Sequence, residues 1–235
     1  MTHLHLVESE PRVEEPALDR LGGGPFEDDL PPAARLPRGR HGIPADLVTA
    51  HQRQRLVAAA AEALAERGYA QITAKDVGER AGVSSRTFYK HFGDLWDCLA
   101  AAYEEAGGQM CDAIEASCAE STEPAARLAA GIDAALAFLA AEPAVAQLLG
   151  GRPPLDAGDL TDARRELVDR LAAMLRRARD PADDTIRPRG LEEHLIDAAL
   201  AFVASRVASG ATSGGLTGLG PELTELFGGS RRIVA

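Results

Sequence analysis

The sequence predicts an all-α protein: a small three-helix unit over about 41–95, followed by a larger helical domain over 96–228. Three observations carry this reading. Alanine dominates the apolar share of a chain that is 46% hydrophobic, and alanine is the best helix former. Aromatic residues are only 4% of the chain, and β-branched residues are also sparse, which argues against sheet. Apolar residues recur at three- and four-residue spacing along most of the chain beyond the first 40 residues.

The elements follow in order. Residues 1–40 are acidic and rich in proline, with three glycines at 22–24, and lack an apolar period; they predict a disordered arm. A first helix begins at Pro44 or Thr49 and runs to Arg67, with Leu56, Val57, Ala60, Ala61 and Leu64 on its buried face. Gly68 is placed to end it in a left-handed conformation. Thr73 with Asp76 resembles a capping box, with Asp in the place of Glu. Ser84 starts another short helix after a turn at Gly82, and Asp94 with Asp97 starts a long one reaching about Ala119. That long helix buries Leu95, Leu99, Tyr103, Met110 and Ile114. Further helices are predicted over 124–141, 143–149, 160–179 and 190–209, the last marked by Leu191, Leu195, Phe202 and Val203. Gly150-Gly151 and Pro153-Pro154 break one junction, and Pro181 and Pro188 another. Residues 210–220 read as loose, Pro221–Phe227 as a last short helix, and 229–235 as a tail.

Charge separates the regions. The chain carries −11 overall, yet only residues 35–95 are basic, at +4. Only that stretch suits an approach to phosphates. Within it, two short helices joined by a tight glycine turn form a helix-turn-helix pattern. Small Ala81 lets the helices approach, while Val83, Phe88 and Phe92 face the core. Ser84, Ser85, Arg86, Thr87, Tyr89 and Lys90 then face outward. Such a helix fits a DNA major groove, with its N-terminal residues at base edges. Arg86 can grip a guanine, and Ser85 and Thr87 can reach bases or thymine methyls. Tyr89, Lys90 and His91 are better placed for phosphates.

The stretch from Ile72 to Leu99, ITAKDVGERAGVSSRTFYKHFGDLWDCL, resembles the DNA-binding region of the TetR family of bacterial regulators. The matching features are Gly68-Tyr69, Thr73 at a helix start, Ala81-Gly82-Val83-Ser84, Thr87-Phe88-Tyr89 and His91-Phe92, over roughly Arg53 to Tyr103. The resemblance implies a homodimer on an inverted-repeat operator in double-stranded DNA. It also implies an effector-binding and dimerisation domain after the DNA-binding unit, and repression relieved by a small-molecule effector. Gly78 departs from the family's usual alanine, and Leu95 from a frequent lysine. The helices over 160–179 and 190–209 carry apolar faces that could form a bundle with a second copy. The competing expectation is a C-terminal domain that binds a protein partner.

Other signals are weaker. Arg38 and Arg40, in Pro-Arg-Gly-Arg, resemble the core of segments that enter the minor groove; a solubilising linker is the plainer alternative. Cys98, Cys111 and Cys118 fall on one helix, and buried filler is favoured over a redox switch. The histidines show no metal-ligand spacing. Glu192-Glu193 and Asp183-Asp184 read as solvated pairs. No nucleophile motif or phosphate loop points to an enzyme, and no cofactor is expected. With no secretory signal at the start and a longest apolar run of eight residues, Ala134 to Ala141, the expected place is the cytoplasm and not a membrane.

Overall fold

The computed structural model describes residues 45–178, 190–211 and 213–228, and every regular element among them is an α-helix. The N-terminal arm, with Arg38 and Arg40, lies outside the described residues, as do Pro181, Pro188, the Asp183-Asp184 pair and the tail after Gly228.

Helix α1 (Ala45–Arg67) buries Leu56, Val57, Ala60, Ala61 and Leu64, the face predicted from spacing. It stops at Gly68, whose φ of +70° is the left-handed region that glycine enters without penalty. Helix α2 (Ala74–Arg80) begins at Thr73 with both bonds of a capping box, Asp76 serving as well as Glu would. Arg80 ties it to α1 through Glu62, at 2.8 Å, and Glu66. Gly82, at φ +63°, makes the turn, and the Val83 N–H donates to the Gly78 carbonyl at 2.9 Å. Helix α3 (Ser85–His91) follows, capped by Ser84.

Helix α4 (Leu95–Ala119) starts at the Asp94–Asp97 capping box and is the longest element. Leu99, Tyr103, Met110 and Ile114 are buried as expected, while Leu95 at its first turn is half-buried. Around it pack α5 (Pro124–Ala141), α6 (Pro143–Gly150), α7 (Asp159–Ala178) and α8 (Leu191–Ala208). Short α9 (Ser213–Thr217) and α10 (Gly220–Gly228) lie against α5.

Several expectations need correction. Part of the supposedly loose stretch 210–220 is α9, because Leu216 is drawn into the core at 2% exposure. The junction at Gly150-Gly151 stands where it was expected: Gly150 is the last residue of α6 and Gly151 its C-cap. A Cβ on Gly150 would fall 2.1 Å from the Leu200 carbonyl oxygen, so only glycine lets α6 and α8 cross at this separation. Phe202 is half exposed, because Ile196, Leu200, Val203 and Ala204 form the inward face of α8. Glu192 is buried rather than solvated, and Glu193 pairs with Arg176 of α7 at 3.0 Å. By length and composition α5 could cross a bilayer, which the eight-residue run understated. Here Leu128, Leu136 and Leu139 are buried instead within the bundle.

Candidate nucleic-acid interface and an apolar cavity

The surface of α3 is built from beneath. Phe88 is fully buried and Phe92 nearly so, their ring centroids 5.8 Å apart. With these two inside, Ser85, Arg86, Tyr89 and Lys90 point to solvent on a helix of two turns. Tyr89 is 60% exposed, and its ring meets Phe88 edge-on at 5.3 Å. Exposed Ser84 is a cap: its Oγ accepts from the Thr87 N–H at 3.2 Å and lies 3.0 Å from the Thr87 hydroxyl. Thr87 is therefore half-buried and partly committed to the cap, less outward than its position implied. The His91 ring turns toward α1, with Nε2 3.4 Å from the Gln52 side-chain oxygen. Thr73 is exposed, and its hydroxyl donates to Asp76 at 2.6 Å. That bond and the Thr73 N–H hold the Asp76 carboxyl below the usual carboxylate range, with Arg67 adding to the effect.

Sequence reasoning passed over α1 as a contributor. The Arg53 guanidinium lies over the Phe92 ring, 5.1 Å from its centroid. Arg55 reaches the turn before α3: a Cβ at Gly82 would stand 2.6 Å from its Nη2. Two cations of one helix thus flank the two ends of α3. Their two-residue spacing on α1 gave no distinctive signal, because only the packing of α3 on α1 gives it meaning.

A second polar cluster joins this unit to the rest of the bundle. The last carbonyls of α6 have no helical partner. Leu148 receives the Tyr69 hydroxyl at 3.0 Å, and Leu149 the Tyr103 hydroxyl at 3.1 Å. One Arg164 nitrogen donates to Leu149 at 3.0 Å and to Gly151 at 2.8 Å, and Arg164 also pairs with Asp197 of α8. A cation at a helix C-terminus also meets the negative end of the macrodipole. Burial pushes the Tyr103 hydroxyl up to about 12 and raises that of Tyr69 as well. The turn after α1, and helices α4, α7 and α8, therefore converge on the end of α6.

Between α4, α5, α7, α8 and α10 lies a cavity of about 130 Å³. Its wall is apolar, with Met110, Ile114, Leu136, Leu139, Leu175, Leu200 and Phe227 among its residues, and Arg127 is its one charged residue. Cys118 also lines it, while Cys98 and Cys111 are fully buried. Burial pushes the Cys98 thiol up to about 12, which fits a packing role.

These features define a helix-turn-helix protein whose exposed helix α3 is joined through α4 to a hollow helical bundle. Residues 56–102 match the family model described as bacterial regulatory proteins, tetR family. No curated protein matches the chain. Among solved structures, it is similar to the fatty acid degradation regulator FadR from Bacillus halodurans. That likeness has a TM-score of 0.63 at 20% identity over 76% of this chain and 98% of the other. FadR from Bacillus subtilis, in complex with stearoyl-CoA, gives 0.58 at 22% identity over 74% and 96%. A TetR-family regulator from Syntrophomonas wolfei gives 0.63 at 15% identity over 79% and 99%. At these identities the likeness is one of fold. The segment that matches the TetR-family model spans the second half of α1, all of α2 and α3, and the start of α4.

Proposed function

We propose that the protein is a cytoplasmic homodimeric repressor that binds an inverted-repeat operator and releases it when a small apolar effector enters the bundle. The observation that carries this is the apolar cavity. A filled core would have favoured a protein partner, whereas a cavity with apolar walls and one charged group has the form of a ligand site. The stearoyl-CoA held by the Bacillus subtilis FadR supports an effector with a long apolar part. In this reading Arg86 and Ser85 meet base edges, with Thr87 beside them. Tyr89, Lys90, His91, Thr73 and Ser84 serve phosphates or the helix cap. Arg38 and Arg40 reach for the minor groove.

The half-exposed Phe202, with Ala198 and Leu195 on the same side of α8, supplies an apolar face for a second copy. The cluster at the end of α6 supplies the coupling. Leu200 lines the cavity, and its backbone abuts Gly150. The carbonyls just before Gly150 hold Tyr69 and Tyr103. An effector that shifts α8 on α6 therefore acts on the turn after α1, provided it binds the two arrangements with different affinity. Selection of bound sequences from a random DNA pool tests the reading, together with sedimentation of the free protein. The expected site is an inverted repeat whose half-sites lie one or more helical turns apart, roughly 34–36 Å per turn. A site without a dyad, or a monomer at micromolar concentration, contradicts it.

A further inference from the structure

The unit formed by α1, α2 and α3 pairs some of its cations and leaves others bare. Arg67 is neutralised by Asp76 at 3.2 Å, Lys75 by Glu79 at 3.5 Å, and Arg80 by Glu62 and Glu66. Arg53, Arg55, Arg86 and Lys90 are exposed and make no ion pair among the described residues. These bare cations all lie on α3 or against it. A cation already paired with a carboxylate has little charge left for a phosphate. A bare one can displace the counterions whose release drives DNA binding.

Arg53 and Arg55 stand two residues apart on α1, about 200° around a helix of 3.6 residues per turn, and project to opposite sides. Arg53 lines an open cleft between α1, α4 and α7, together with Asp97, Glu104, Asp159, Asp162 and Glu166. These carboxylates offset its charge before any phosphate does. Arg55 projects instead to the turn before α3. Its Nη2 would stand 2.6 Å from a Cβ at Gly82, two residues ahead of the Ser84 cap, and Gly82 and Arg55 are both exposed. Arg86 follows in the first turn of α3, so two bare guanidinium groups gather at the same end of that helix.

We propose that Arg55 is a DNA contact supplied by α1: its guanidinium grips a backbone phosphate beside the position that Arg86 reads, while the charge of Arg53 serves the cleft. This rests on α3 being the helix that enters the groove. With Arg86 reaching base edges from the first turn, the turn at Gly82 lies at the mouth of the groove, where the phosphates of one strand pass. A guanidinium can give a phosphate two parallel hydrogen bonds.

The test uses the full chain and an operator duplex selected from a random pool, with affinity read by fluorescence anisotropy across a salt series. Arg55→Gln should lower the slope of log affinity against log salt by about 0.9 and weaken binding roughly eightfold at about 0.1 M salt, with base selectivity unchanged. Arg55→Met keeps the aliphatic stem against the turn and should behave as Arg55→Gln does. Arg55→Lys keeps the charge and should keep the slope. Arg53→Gln should leave the slope as in wild type. In a scan that replaces single phosphates by neutral methylphosphonates, one phosphate of each half-site should matter to wild type and make no difference to Arg55→Gln.

Equal slope losses in Arg53→Gln and Arg55→Gln would mark a general effect of net charge and overturn the contact. So would an Arg55→Met protein that melts at a lower temperature yet keeps the wild-type slope, which leaves Arg55 a packing role only. If Arg86→Ala and Lys90→Ala weaken binding while no Arg55 variant does, α3 remains the groove helix and the Arg55 contact is rejected. If neither α3 variant changes binding, α3 is not the groove helix and the proposal falls with that reading.

Discussion

Arg86 and Lys90 stand about one turn apart on α3, both exposed, and the proposed interface gives them different tasks. Arg86 lies in the first turn, where base edges are within reach; Lys90 lies in the last, beside the phosphates. Arg86→Ala should cost about 1–3 kcal/mol and relax selectivity at one base position of each half-site. Lys90→Ala should weaken all sequences about equally and reduce the slope of log affinity against log salt by about one. Fluorescence anisotropy across a salt series separates the two, and wild-type selectivity in Arg86→Ala would remove it as a base reader. Gly78, where an alanine is usual, is explained less by crowding. A Cβ there would meet the Val83 carbonyl at 3.4 Å, an ordinary contact.

Among elements, α4 bears most on how the two halves communicate. Its Gly107-Gly108 pair is weak helix sequence and invites the idea of a hinge. The two glycines have different surroundings. A Cβ on Gly107 would press within 3.1 Å of both Leu167 methyls, so this glycine lets α7 pack closely against α4. A Cβ on Gly108 would meet nothing within 4 Å. Gly108→Ala should therefore raise stability by about 1 kcal/mol in thermal or urea unfolding. Because α4 runs unbroken from Leu95 to Ala119, the same variant should release operator as wild type does. Impaired release in a stable Gly108→Ala protein would restore the hinge. Gly107→Ala should gain less, because Leu167 must shift to admit the methyl.

For the whole molecule, the question is how a cavity lined by α5, α7 and α8 can speak to α3. The route proposed above passes through the end of α6, where Tyr69 anchors the turn after α1 to Leu148. Tyr69→Phe keeps the ring and removes that hydrogen bond. Net hydrogen bonds contribute about 0.5–1.5 kcal/mol, so the variant should fold. Coupling between effector and operator should fall, read as a smaller ratio of operator affinities without and with effector. An unchanged ratio would move the coupling elsewhere, to the direct α1–α4 contact for instance, where Gln54 donates to Glu105 at 2.8 Å.

Much of this was legible beforehand because it is local. Caps at Thr73, Ser84 and Asp94, left-handed glycines at 68 and 82, and the limits of α4 and α5 depend on residues within a few positions of each other. The outward set on α3 follows from helical spacing once Phe88 and Phe92 turn inward. What was not legible needs residues far apart in the chain. Arg53 acquires its place only when Phe92, 39 positions on, packs beneath it. Gly150 is legible as the end of a helix, but its role in the α6–α8 crossing shows only when the Leu200 carbonyl comes against it. Phe202 looks like core until α6 selects the other face of α8. By itself the sequence determined the helices, their caps and the character of the DNA-facing surface, because hydrogen bonds and side-chain period act within one or two turns. Only the tertiary structure decided that five helices leave an apolar space between them. A cavity is the volume that packing fails to fill, and no single segment encodes it.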